Sequence, residues 1–596
     1  ESEFSVELSP KNIGLDEVVV TALGVKREKK ALGYAIQEVQ GSSLNTAKEA
    51  NLMSNMTGKV AGLTIQNPPG LFEDPKISLR GSSNVLVVVD NVPVETNFWN
   101  ISSDDIAEVS VLKGPAAAAL YGSRGKNGAI LITTKRGGGK DGKVEISINS
   151  SVMFQPSFVY LPKTQSKYGT GQWGEFEWVD GAGGGVYDND YVWGPKLDQR
   201  DPNTKSGFVE LPQWDSPIDP ATGKRIPTPF ISRGKDNIWN FFNTGNIISN
   251  NIAIGASTEK TNYRFSFTQL DQKGIDPGAR IDASTVAFSG GHKFTDKFSI
   301  ETSINYNKQY SDNYPRTSYF ADNNMYNIGV WMGADVDVRG LKDYWEPGQE
   351  GIRQRNYNYQ YYNNPYYIAN EFRQEYSKDV VYGFANFAYQ FTPELKLSYR
   401  ANLNWHTRYT AQKRPKGFVG YNPDYMDGGF YPDYNYDFEL NNEILLNYDK
   451  RLSSLWSISA LAGANNRNNN WRNMSLSASA LSIPGVYNIG NSKVPITGTN
   501  DTYKKLVNSF YGSATIGYHD ALYLTLTGRN DWSSGMPVKK NSYFYPSVSF
   551  SGVVSELVKM PSFISFAKAR AAWNRVGGDM SPYSSRPTYS YGTKWG

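Results

Sequence analysis

The chain has 596 residues, 61 basic and 57 acidic, a balance that offers neither a nucleic-acid footprint nor a polybasic membrane tail. It has no cysteine, which excludes disulfides, thiolate metal sites and thiol catalysis, and its three histidines, His292, His406 and His519, are too scattered to suggest a metal centre. Aromatics make up 14% of the chain beside 56 Gly, and no apolar run reaches the roughly 18 residues of a transmembrane helix, so the composition reads as all-β, either soluble or a membrane barrel.

Residues 15–24 read LDEVVVTALG. Three β-branched residues in a row, Val18, Val19 and Val20, are biased to extended backbone, yet the charge-studded VKREKKALGYA that follows reads as a tether. A strand needs a partner. On local sequence alone this one is either an edge strand of an N-terminal domain or a segment waiting for a partner from outside.

Residues 25–142 read as a compact α+β domain. SLNTAKEANLMSNMTGKVAG sets Leu52, Met53, Met56 and Val60 at helical spacing, with Ser43 or Thr46 as N-cap and Gly62 as stop. Short strands follow at 77–81, 84–94, 106–114 and 128–137, with a small helix at 116–122.

From about residue 143 the chain alternates with period two. In LKLSYRANLNWH, Leu395, Leu397, Tyr399, Ala401, Leu403 and Trp405 share one face, and Lys396, Ser398, Arg400, Asn402, Asn404 and His406 the other. The same pattern runs through FSIETSINYNK, YRFSF and LYLTLTGR. These runs are about 10 to 13 residues long, beyond the 5 to 6 usual in globular strands and close to the length of tilted bilayer-crossing strands. Thirteen strands are expected, near 143–155, 246–257, 261–272, 284–294, 298–310, 379–391, 395–407, 436–449, 453–464, 507–518, 521–531, 542–553 and 562–574. Tight links such as Thr392-Pro393-Glu394 and His519-Asp520 alternate with long links rich in Tyr, Asn and Gly, the asymmetry of periplasmic turns and outer loops. An odd number of strands does not close a single-chain bacterial barrel, so the expectation is a barrel that is incomplete over these residues.

Several motifs carry no chemistry. GGGKDGKV (137–144) nearly spells a phosphate loop, but Val144 stands where Ser or Thr is required and a strand follows in place of a helix. Asp188 and Asp190 fit no recognised calcium loop, and Asp104-Asp105 reads as a helix-capping or solvated pair. No cofactor and no catalytic residue is expected. Loop aromatics are a different matter: Trp173, Phe176, Trp178, Tyr187, Tyr191 and Trp193 suit stacking on sugars or extended peptides, and suit packing against a partner equally well. On the α+β domain, ETNFWN offers Asn97, Phe98 and Trp99 as solute contacts, and Trp173 and Trp178 are the corresponding loop candidates.

LKGPAAAALYGSRGKNGAILITTKRG (112–137), with ISLRGSS, VVVDNVPV and LDEVVVTALG, resembles the plug of TonB-dependent outer-membrane transporters of the SusC/RagA type. The resemblance is dense over about residues 15–140, and it extends into the barrel only as general pattern, in YPSVSFSGVVSEL and AAWNRVGGD. Where the family has Asp-Gly in the turn of its plug, this chain has Asp90-Asn91, a mild departure because Asn tolerates positive φ. The resemblance implies the end of a carboxypeptidase-regulatory-like domain at 1–14, a TonB box at 15–24 with Asp16, Glu17, Val18, Val19 and Val20 captured by strand addition, a plug at 25–142, and the first part of a transmembrane antiparallel β-barrel of about 22 strands at 143–596. The TonB box is expected to be unpaired until captured. The resemblance also implies a place in the outer membrane of a Gram-negative bacterium, a SusD-like lipoprotein lid, energy from TonB with ExbB and ExbD, and import of an oligosaccharide or oligopeptide. Inward polar residues, Arg264, Glu301, Lys396, Arg400 and Arg529, are expected to meet the plug across a wet interface. The rival readings are a surface adhesin or glycan-binding β protein and a passive porin, neither of which has a use for LDEVVV.

Overall fold

A computed structural model describes residues 18–20, 26–45, 51–66, 75–94, 96, 98–114, 119–138, 141–155, 163–176, 191–314, 319–420, 426–561, 563–585 and 587. The N-terminal part contains, in chain order, β1 (Val18–Val20), β2 (Lys26–Glu28), β3 (Ala35–Gln40), α1 (Gly41–Leu44), α2 (Leu52–Met56), β4 (Leu63–Gln66), β5 (Lys76–Leu79), β6 (Leu86–Val89), β7 (Val92–Pro93), β8 (Ile106–Lys113) and β9 (Ala129–Thr134).

The plug is built on a five-stranded sheet of order β3-β8-β9-β6-β7. β6 reads LVVV and all four residues are buried, as a strand covered on both faces requires, and it pairs in parallel with β9. Asp90 and Asn91 have φ of 47° and 70°, so they form the left-handed two-residue turn that folds β7 back on β6 and divides the run expected at 84–94. The Asp90 carboxylate accepts from Thr134 N at 2.9 Å and Thr134 Oγ1 at 2.6 Å, which ties that turn to β9.

The helix expected from residue 43 to 62 is shorter. Leu52, Met53 and Met56 are buried in α2 as the spacing predicts, but the cap is Asn51, whose side chain accepts from Met53 N at 2.9 Å. Ser43 lies in the separate helix α1, and Thr46 lies outside the described residues. Gly58 at φ 76° ends the regular spacing before Val60. The stretch read as a tether also holds order: β2 lies within it and pairs antiparallel with β1, a short 3-10 turn follows at Lys29–Ala31, and β3 begins where it ends and pairs antiparallel with β8.

The remainder is one antiparallel sheet of thirteen strands taken in chain order. They are β10 (Glu145–Gln155) and, after the small loop strands β11 (Glu210–Leu211) and β12 (Thr228–Pro229), β13 (Gly245–Ser257), β14 (Thr261–Lys273), β15 (Arg280–Lys293), β16 (Phe298–Ser311), β17 (Arg373–Gln390), β18 (Leu395–Arg414), β19 (Gly429–Arg451), β20 (Trp456–Ser477), β21 (Thr497–Tyr518), β22 (Leu522–Ser533), β23 (Ser542–Val553) and β24 (Lys568–Asn574). Among the described residues β10 and β24 each have one partner, so the sheet is open.

Burial on this sheet is inverted relative to a water-soluble core. On β14, Arg264, Ser266 and Thr268 are buried, while the alternating Phe265 and Phe267 are exposed. Ser398, Arg400, Asn402 and Asn404 of β18 are likewise covered and Tyr399 is not. A sheet whose outer face is apolar and whose inner face is polar is the pattern of a barrel wall in lipid. Among the described residues no helix is long and apolar enough to cross a membrane, which says nothing against crossing by strands.

The strands from β17 to β21 run 18 to 23 residues, longer at the outer end than the alternation predicts. At about 3.3 Å per residue, 22 residues exceed a tilted bilayer crossing, so their outer ends stand clear of the hydrocarbon. There polar pairs hold the ladder: Asp433 accepts from Asn473 Nδ2 at 3.2 Å, and Tyr409 and Tyr434 lie 4.8 Å apart between ring centres. The outer connections also vary more than expected, since β14 and β15 are joined by residues 274–279 alone.

Candidate functional site: the plug against the inner wall

The plug lies on the inner, polar face of the large sheet. Asp105, read from sequence as part of a capping or solvated pair, is instead 5% exposed and ion-paired with Arg264 of β14 at 2.7 Å. Beside it the Thr268 hydroxyl donates to Ser102 Oγ at 3.2 Å. Arg136 of the plug reaches Glu301 of β16 at 3.0 Å and lies over the ring of Phe384. Arg124 reaches Glu439 of β19 at 2.7 Å, and Arg467 of β20 approaches the same carboxylate at 3.9 Å.

Of the inward residues named from the alternation, Arg264 and Glu301 meet the plug directly. Arg400 pairs at 3.6 Å with Glu443 of the wall itself, and Arg529 pairs with Asp531, both beside the cavity that also touches Tyr121 and Arg124 of the plug. Lys396 is exposed near the short turn. Arg136, Arg124, Glu439 and Arg467 were not singled out from the sequence. The available signal was charged residues at inward positions of alternating strands, and it does not say which plug residue each would meet.

The interface is not uniformly wet. Val380, Tyr382 and Phe384 of β17 are buried with the plug's main apolar cluster, which includes Val87, Val89 and Ile132. Leu445, Leu461 and Tyr511 join a second cluster with Leu86, Val88 and Leu131. The two seams arise because β6 and β9, being buried on both faces, present valine, leucine and isoleucine to the wall. Close approach is set by glycine: a Cβ on Gly33 would stand 2.6 Å from Ser549 Cβ, and one on Gly122, at φ 63°, 2.5 Å from Asp531 Oδ2. The start of the plug is tied to the last strands, with Ser551 Oγ donating to Lys30 O at 2.8 Å and Lys568 Nζ to Leu32 O at 2.9 Å.

The residues named for binding fall in several places. Val18, Val19 and Val20 form β1, which pairs antiparallel with β2, Val19 opposite Arg27, so the segment expected to be unpaired has a partner in its own chain. Asp16, Glu17, Asn97 and Trp178 lie outside the described residues. Phe98, at φ 64°, is 3% exposed within the plug's apolar cluster, and its backbone N donates to Thr96 Oγ1 at 2.8 Å; its placement is that of a packing residue. Trp99 packs against Ile281 and Tyr376 of the wall and Ala279 of the link between β14 and β15. Trp173 stands in the outer link after β10, 77% exposed, with neighbours unrelated to those of Trp99. Among the described residues no group of three or more acidic or histidine side chains is placed to hold a metal ion.

With this geometry in hand, the comparisons with known proteins are informative. The family model of the TonB-dependent receptor plug domain matches residues 28–129. TonB-dependent receptor P39 of Formosa agariphila is 24% identical over 580 residues, covering 95% of this chain and 50% of that protein. TonB-dependent receptor SusC of Bacteroides thetaiotaomicron is 30% identical over 199 residues, 31% of this chain and 18% of that one. The RagAB peptide importer in its open-open state shares the fold, with a TM-score of 0.70 at 17% identity over 97% of this chain and 64% of that one. Fold and matches define the class: a β-barrel wall with an N-terminal plug, similar in its plug and along most of its length to TonB-dependent receptors, SusC among them. It spans about half the length of the curated relatives that it matches along most of its own length.

Proposed function

We propose that the chain forms the plug and part of the barrel of an active importer in the outer membrane of a Gram-negative bacterium, carrying an oligosaccharide or oligopeptide inward. The observation that carries this reading is the plug seated on the polar inner wall through separable ion pairs and hydrogen bonds, Arg264 to Asp105 foremost. A lumen wide enough for such a solute must be occluded, and the occluding domain must yield to force. Force enters at residues 16–20. β1 has β2 on one edge, so the other edge is the one on which the periplasmic domain of TonB adds a strand, with ExbB and ExbD supplying the energy. A SusD-like lipoprotein closes the outer mouth, in keeping with the RagAB likeness. The protein's work is binding, occlusion and release, with no covalent step.

Deleting residues 16–20 tests the reading. Membrane insertion and solute binding are expected to persist while uptake is lost. An adhesin or a passive porin would be indifferent to the deletion, and uptake that survives it overturns the proposal.

A further inference from the structure

The outer link between β10 and β13 holds a feature that neither the plug contact nor the TonB segment uses. Residues 172–175 make a tight turn in which Glu175 N donates to Gln172 O at 2.9 Å. Its two central residues, Trp173 and Gly174, have φ of 54° and 79°, the two-positive pattern that Asn-Gly adopts without strain and a bulky side chain does not. Trp173 nonetheless occupies the first position, with 77% of its surface exposed. Trp193 and Tyr191 are 41% and 46% exposed beside it. The two indoles lie 4.5 Å apart between centres at 59°, and the Tyr191 ring stands edge-on to Trp193 at 6.3 Å.

The stage beneath these rings is fixed. Trp193 N donates to Gly171 O at 3.0 Å and Gly174 N to Trp193 O at 3.3 Å. A Cβ on Gly171 or Gly194 would collide with the backbone oxygen of Glu175 or Thr170. Thr170 N in turn donates to the buried Asp335 carboxylate at 2.7 Å. Folding gains little from a strained, exposed tryptophan, and strain together with exposed apolar surface points to a ligand.

Size and charge select the ligand. The exposed parts of the three rings come to on the order of 400 Å², about half of what one side of a specific protein interface buries. The three rings and the turn between Gln172 and Glu175 supply no cationic side chain and one carboxylate, so an anionic ligand finds no grip on them. A neutral sugar fits both limits: its C–H faces stack on the rings, and Gln172 and Glu175 at the ends of the turn supply an amide and a carboxylate for its hydroxyls. We infer that Trp173, Trp193 and Tyr191 form a stacking platform that captures a neutral oligosaccharide at the outer mouth. The inference rests on the import reading for its purpose and narrows the cargo to glycans; the binding itself needs no TonB.

The test uses the full chain purified in detergent and run through native gels containing soluble starch, laminarin, galactomannan or xyloglucan. At least one polysaccharide is expected to retard the protein, with about tenfold weaker retention in Trp173→Asn and in Trp193→Ala. Asparagine suits the left-handed position, so Trp173→Asn removes the ring and keeps the turn. Trp239→Ala, at another exposed tryptophan, is expected to leave retention unchanged. Passage through all four gels without retardation, or equal retardation of Trp173→Asn and the parent, overturns the inference. Deletion of residues 16–20 is expected to leave retention intact, so a failure of the import reading shows in uptake alone.

Discussion

Arg264 of β14 and Asp105 of the plug stand 2.7 Å apart with about a tenth of either side chain exposed, so one buried pair joins the occluding domain to the wall. Each charge is tolerable only because the other is there. Arg264→Ala is expected to destabilise plug seating by about 3 to 5 kcal/mol, because it leaves an unpaired carboxylate in a dry contact, and Arg264→Ala with Asp105→Asn is expected to recover most of that loss. Arg136→Ala is expected to change its exposed contact with Glu301 by less than about 1 kcal/mol. Proteolytic release of the plug during a thermal ramp compares the three.

Gly33 brings the plug backbone close to the wall with no side chain of its own in between. Gly33→Val is expected to push the plug off Ser549 while leaving both apolar clusters intact, since a Cβ there stands 2.6 Å from Ser549 Cβ. Cells carrying the variant should become more sensitive to a large antibiotic that the outer membrane normally excludes. Unchanged sensitivity would mean that the plug shifts without opening a path.

How much of this was legible in the sequence depends on which signal was present. All thirteen wall strands could be read because Arg264, Ser266 and Thr268 alternate with Phe265 and Phe267, one class inward and one outward. The outer ends of β19 and β20 could not, because where both faces are Tyr, Asn and Asp the period-two contrast vanishes. β3, just past the charged stretch, was not legible, since AIQEVQ has no clean alternation and its order comes from pairing with β8. Asp105 and Arg264 meet across a long span of chain, and no local pattern encodes that partnership. Trp173 could be singled out as a loop aromatic, whereas its left-handed backbone and its neighbour Trp193 required coordinates.

Asp276 gives the outer loops a pH dependence. It lies in the turn between β14 and β15, accepts from Asn324 Nδ2 at 3.1 Å, and burial pushes its carboxyl up to about 7, the Asn324 bond opposing this only in part. The folded state therefore prefers the protonated acid. Its contribution is whole below the ordinary carboxylate pKa, shrinks as pH rises towards about 7, and is gone above that, a swing of about 2 to 4 kcal/mol. Amides in residues 319–372 should exchange more slowly at about pH 6 than at about pH 8 after correction for intrinsic rates, and Asp276→Asn should flatten the difference. Equal pH dependence in the variant would assign the effect to another group.

The most direct test of a plug that must leave the wall is a reversible staple. Ser102 of the plug and Thr268 of β14 bring their hydroxyls to 3.2 Å in a chain with no cysteine, so Ser102→Cys with Thr268→Cys creates a single possible disulfide. The expected result is a bond that forms on oxidation, leaves solute binding unchanged, stops uptake, and restores uptake on reduction. Uptake that continues with the disulfide fully formed would contradict the account, and so would a pair that never crosslinks.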